Sequence, residues 1–165
     1  MPFWYTLVVR RAEVYIETSV WGAAVDVEPA SYRVAAQKLF HRTDEFSFFI
    51  SRTVLREVGE APPPVRDIVE GLIQRANPVT LVITDEALSL AEEYVKRGLF
   101  TPRYRNDAIH VAIASSYGVD YLASYNFRHI VAVSRRRLIQ ATNVILGHKS
   151  PEIVSPEELA YEPPR

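Results

Sequence analysis

Short runs of β-branched and aromatic residues alternate along this chain with longer stretches whose apolar residues recur at helical spacing, and this alternation restricts the fold most. Val14 to Ser19 (VYIETS), Phe46 to Ser51 (FSFFIS), Val79 to Ile83 (VTLVI) and Tyr121 to Ser124 read as strands, with Glu152 to Val154 a candidate fifth. Between the first two, Tyr32, Ala35, Ala36, Leu39 and Phe40 mark an amphipathic helix. Thr53 to Val58 reads as a short helix, and Pro62 to Pro64 open another, with Val65, Ile68, Val69, Leu72 and Ile73 on one stripe until Asn77-Pro78 breaks it. Thr84 caps the next, whose stripe is Ala87, Leu88, Ala91, Tyr94 and Val95. Asp107 to Tyr117 is apolar on nearly every face, which predicts a central helix ended by Gly118. A long helical region is expected to about Gly147, and Ser155-Pro156-Glu157-Glu158 reads as a last helix start. Strands separated by helices pair in parallel, so the expected fold class is α/β with a parallel sheet covered on both faces.

At 165 residues with 48% hydrophobic content, the chain has material for one core and is short for two. A formal charge of −1 supplies no global field toward nucleic acid or an anionic membrane, so such a partner must meet a local patch. With no cysteine, disulfide frameworks, thiolate zinc sites and cysteine nucleophiles are excluded together, which fits a cytoplasmic protein. The amino end begins apolar, but Arg10 and Arg11 follow the run, the reverse of a secretory signal. No segment approaches the ~18 apolar residues of a membrane span. Residues 1–13 are read as an N-terminal extension or extra strand, and 14–160 as the domain.

Ligand sites in open parallel sheets lie beyond the carboxyl ends of the strands, which directs attention to Glu17, Glu57, Asp107 and Asn126. Glu17 ends the first strand, and the hydroxyls of Thr18 and Ser19 can orient its carboxylate; the alternative is a strand-end acid facing solvent. Glu57 shares the inward side of its helix with Val54 and Val58, against the alternative of an exposed helix acid. Asp107 opens the most apolar helix, where burial of a carboxylate demands a positive partner, unless it is simply a first-turn acid favoured by the dipole. Asn126 follows the fourth strand and reads equally as a turn or capping residue. His110 is either a proton carrier or a histidine satisfied within the packing. Hard oxygen donors on separate elements suit Mg²⁺ or Mn²⁺ rather than zinc. A P-loop, a GxSxG elbow and an HExxH pair are all missing, and Glu17 has no neighbouring second acid of the phosphatase or phosphoacceptor kind.

The segments VYIETSVWG, TVLREVGE, NDAIHVAIASSYGVDYLASYNFRHI and PEIVSPEEL resemble, in order, the motifs of PIN-domain proteins, particularly VapC-type toxins of toxin–antitoxin pairs. The resemblance runs from Val14 to Leu159 and implies a three-layer α/β/α fold with a central parallel sheet of four or five strands. It further implies a metal-dependent endoribonuclease whose motif acids fall on Glu17, Glu57 and Asp107, with Asn126 at a fourth position and Ser19 and Ser124 in support. Mg²⁺ or Mn²⁺ is the implied cofactor; RNA, an antitoxin and a second copy of the chain are the implied partners. Two departures stand out. Glu17 replaces the family's usual Asp, and its extra methylene displaces the carboxylate by roughly 1.5 Å against a tolerance of about 0.5 Å. Asn126 removes a negative charge, so a single well-held ion is expected.

Arg103, Arg105 and Arg128 flank the expected site as candidate RNA contacts. Arg135, Arg136 and Arg137 follow in a helix, where consecutive residues point about 100° apart and cannot all share a face. The rival to a nuclease is a PIN-like module that has lost catalysis and binds RNA or protein.

Overall fold

The computed structural model describes residues 10–25 and 29–163. The expectation for residues 1–9 therefore lies outside the described residues, while Ala12 and Glu13 belong to the first strand and pair with Phe46 and Ser47. Five parallel strands form the sheet: β1 (Ala12–Ile16), β2 (Phe46–Ser51), β3 (Val79–Leu81), β4 (Tyr121–Ala123) and β5 (Glu152–Val154), in the order β3-β2-β1-β4-β5.

The connection β1 to β2 carries α1 (Thr18–Ala23) and α2 (Ala30–Phe40), and β2 to β3 carries α3 (Arg52–Gly59) and α4 (Pro63–Ala76). From β3 the chain crosses to β4 through α5 (Asp85–Lys96) and α6 (Arg105–Tyr117), and reaches β5 through α7 (Val133–Leu146). Strand order reverses direction at β1, and right-handed crossovers then place α1 to α4 on one face and α5 to α7 on the other. The last helix, α8 (Pro156–Ala160), returns to pack on α2. The expected architecture of helices on both sides of a parallel sheet is the one observed.

The core follows from the patterning. On one side Trp21 stacks on Phe40 at 4.3 Å, and Phe40 meets Phe48 edge-on at 6.0 Å. Helix α6 buries every residue from Ala108 to Ser115, as its all-round apolar sequence requires. Gly118 ends it at φ 64°, a left-handed conformation that side-chain-bearing residues avoid.

Three local readings change. The first strand stops at Ile16, and Thr18 and Ser19 open α1, because the Glu17 side chain accepts the Ser19 backbone N–H and makes Glu17 the helix cap. The third strand ends at Leu81 instead of Ile83. The long helical region after β4 is divided: residues 127–131 form a π turn, Ala132 is extended, and α7 starts only at Val133. Among the described residues no helix is long and apolar enough to cross a membrane.

Candidate metal centre

The order reversal opens a crevice between the carboxyl ends of β1 and β4. The Glu17 N–H donates to the Ala123 carbonyl at 3.1 Å, so the ladder between these strands continues to the base of the site. Glu17 is 5% exposed, and its Oε2 accepts the Ser124 hydroxyl at 2.8 Å, the Ser19 N–H at 3.2 Å and the Ser19 hydroxyl. All three donors meet one oxygen, so Oε1 is not needed to fix the carboxylate. The extra methylene of Glu17 is accommodated because the residue sits at a helix cap, where its carboxylate folds back over the first turn of α1.

Glu57 arrives from α3 on the inward side. Its Oε2 accepts the Thr18 hydroxyl and lies 3.0 Å from His110 Nε2, and its Oε1 accepts Asn106 Nδ2 at 3.1 Å. Thr18 therefore serves Glu57 and not Glu17. Burial pushes the Glu57 carboxyl up, but the His110 contact and the Thr18 and Asn106 donors overcome this and hold it below its ordinary value.

Glu17, Glu57 and His110 each offer a ligand atom within 4.8 Å of the others. His110 is the member that sequence reasoning left between two roles. It is 1% exposed and inside the packing, and it also touches the site. A carboxylate can only accept, so Nε2 carries a proton toward Glu57, while Nδ1 lies 2.7 Å from the Tyr15 hydroxyl, itself 2.8 Å from Ser51 Oγ. Burial lowers the imidazole's basicity, but the Glu57 bond and the charges of Glu17, Glu57 and Asp107 outweigh it and raise its pKa. The Nε2–H bond of His110 thus helps keep Glu57 ionised beside Glu17. Burial also pushes the Tyr15 phenol up, which keeps it neutral.

Asp107, in the first turn of α6, does not belong to that close group among the described residues. Its Oδ2 lies 3.0 Å from His129 Nδ1, and its charge still reaches His110. Asn126 Oδ1 accepts the His129 N–H at 3.1 Å, and its own N–H donates to Ser124 Oγ at 2.9 Å. It caps the π turn that presents His129 to Asp107. Ser124 holds Glu17, so both residues position other side chains.

The three candidate RNA contacts differ. Arg105 is engaged by Glu92 at 2.6 Å. Arg103 and Arg128 are exposed, the former with its guanidinium 5.8 Å from the Tyr104 ring centre. Arg135 and Arg136 are taken up by carbonyls of the turn before α7, His129 and Val131, which its irregular geometry leaves without helical partners; Arg137 remains exposed.

Sequence reasoning did not find Asn106, His129, Tyr15 or Ser51. Ser51 carried a signal, since it ends β2 at the carboxyl edge just as Glu17 follows β1. Tyr15 and His129 gave none, because their partners lie 95 and 22 residues away.

The donor set fits a hard divalent cation: two carboxylates brought together at a strand switch and a third near enough to act electrostatically, all hard oxygen donors that suit Mg²⁺ or Mn²⁺. No family model and no curated protein sequence matches the chain. Among solved structures, it is similar to a chain of the crystal structure of VapBC2 from Rickettsia felis bound to a DNA fragment from their promoter. That likeness has a TM-score of 0.57 and 15% identity, and covers 87% of this chain and 98% of that one. It is a likeness of fold: the PIN-like arrangement of a central parallel sheet between helices.

Proposed function

We propose that this chain is a Mg²⁺- or Mn²⁺-dependent endoribonuclease of the PIN kind, acting in the cytoplasm as the toxin of a type II toxin–antitoxin pair. The observation that carries the reading is the convergence of Glu17 and Glu57, 5% and 21% exposed, beside Asp107 at the switch point of a parallel sheet. Two carboxylates held together in a half-dry crevice repel each other, and a bound cation would offset that repulsion. The likeness of fold to a VapBC2 chain supports the toxin assignment and an antitoxin partner.

Glu17, Glu57 and Asp107 would hold the cation. When bound, the cation acidifies water and offsets charge growing on the phosphoryl group. The chain's own residues do the rest. Ser19 and Ser124 fix the Glu17 carboxylate, Thr18, Asn106 and His110 fix that of Glu57, and Asn126 sets the turn that carries His129. His129 donates its Nδ1–H to Asp107, which leaves Nε2 as the ring nitrogen that would accept or return a proton. Arg103 and Arg128 draw the phosphate backbone to the rim. A second copy of the chain is expected on α7, where Leu138, Val144 and Ile145 are 50%, 71% and 70% exposed.

Antitoxin-free protein should cleave members of a broad RNA panel with Mn²⁺, and Asp107→Asn should not. Equal cleavage by wild type and Asp107→Asn sinks the assignment. A second reading, a PIN-like module that binds RNA or protein without catalysis, is favoured by two observations: Asn126 is used as a cap and Asp107 is engaged by His129. Calorimetry without any Mn²⁺ binding would select it.

A further inference from the structure

Phe127 is 42% exposed on the π turn directly after Asn126, an apolar ring at the rim of an acidic crevice. Behind it, Tyr32 and Tyr125 stack at 4.2 Å with their planes 11° apart, and the Phe127 ring centre lies 6.1 Å from Tyr32 at 28°. The backing is firmly held. The Tyr125 hydroxyl has the Tyr32 carbonyl and Glu157 Oε1 each at 3.0 Å, and the Tyr125 N–H donates to Ser19 Oγ at 2.9 Å. Ser19 in turn bonds Glu17, so two hydrogen bonds connect this aromatic group to the carboxylate at the centre of the site.

We propose that Phe127, backed by Tyr32 and Tyr125, is a stacking platform for one unpaired nucleobase of a single-stranded RNA whose phosphate lies at the Glu17 and Glu57 site. The inference rests on the nuclease reading for that phosphate. The two negative groups repel an RNA backbone except through a cation, so a contact that ignores charge is needed to hold the strand beside them. A base face stacked on an aromatic ring is such a contact, and every base has one. Arg128 follows Phe127 in the chain and is exposed, which places a positive group for the phosphate next to the ring that would take the base. A paired base is stacked inside its helix and offers only an edge, so the platform selects single strands, loops and bulges.

The test is fluorescence anisotropy with a short labelled single-stranded oligoribonucleotide, in an Asp107→Asn background so that the strand is not cut, with the matching duplex as control. Adding Phe127→Leu should weaken single-strand binding about tenfold, within the range expected for loss of one stacked base, while Phe127→Tyr should stay within about twofold and the duplex should respond to neither. Mn²⁺ calorimetry on Phe127→Leu in the otherwise wild-type chain should match wild type. Unchanged RNA affinity in Phe127→Leu, or no single-strand binding by the parent, overturns the platform, and the former would return this face to a protein partner. Phe127-dependent RNA binding by a wild-type chain that takes up no Mn²⁺ would instead strike the nuclease reading and uphold the platform.

Discussion

Two buried polar networks flank the sheet, and they are built on opposite principles. Between α5, α6 and α7, the Tyr94 hydroxyl donates to Asn143 Oδ1, Asn143 Nδ2 reaches Ser115 Oγ at 3.0 Å and Ser150 Oγ at 3.1 Å, and Ser115 donates to the Val111 carbonyl at 2.8 Å. All its members are neutral and each donor has an acceptor, so the network needs nothing from outside. At the carboxyl ends of β1 and β4 the balance is different. Glu17, Glu57 and Asp107 supply acceptors in excess, with His110 on Glu57 and His129 on Asp107 as their imidazole partners. A closed network specifies the packing, whereas an open one with surplus negative charge is held in place by the fold for something it must still receive.

The contrast breaks most sharply under charge removal. Glu17→Gln keeps the shape of the side chain but lowers the negative charge of the crevice. It should cost Mn²⁺-dependent RNA cleavage at least about 100-fold, the upper end of what losing even an outer partner of a ligand costs, while raising the thermal midpoint of the metal-free protein. Asn143→Ala should do the reverse. It takes the acceptor from the Tyr94 hydroxyl and a donor from Ser115 Oγ, both buried, and should lower stability by about 2–3 kcal/mol in urea titrations with Mn²⁺ affinity unchanged.

Tyr15→Phe sharpens the same comparison, since this phenol lies beneath the open network. The variant leaves His110 Nδ1 and Ser51 without their shared partner. Mn²⁺ affinity measured calorimetrically should fall about tenfold as the His110 hold on Glu57 loosens. An unchanged affinity would reduce His110 to a packing residue.

The smallest expected effect is in pH dependence. Glu57 has its pKa lowered in the fold, so its contribution is present above its unfolded value and lost as acid protonates it. His110 has its pKa raised, so its contribution is complete below the ordinary imidazole value and fades as pH rises through the folded one. Metal-free protein should therefore be most stable between these two titrations, and His110→Gln should flatten the alkaline limb. The neutral network should show no such dependence: burial pushes the Tyr94 phenol up to about 12, so the destabilisation by Asn143→Ala should be constant across neutral pH.

The sequence displayed whatever is encoded locally. Alternating strand and helix patterns revealed the parallel sheet, and an acid directly after a buried strand pointed to Glu17, because both signals are read within a few residues. The all-apolar face count of α6 announced its burial, but it left His110 between two roles, because its partner Glu57 is 53 residues away. Thr18 looked like the end of a strand because its β-branched side chain suits one. The Glu17 cap, which draws Ser19 into a helix, is visible only once the carboxylate has folded back. The π turn likewise depends on Arg135 and Arg136 reaching its carbonyls, a pairing that no periodicity reports.

Calorimetric titration of Mn²⁺ into metal-free wild type and Glu17→Gln bears most directly on the shared carboxylate site. A single bound ion per wild-type chain, with the heat abolished in Glu17→Gln, is the predicted result. No binding by wild type, or equal binding by both proteins, would contradict the account.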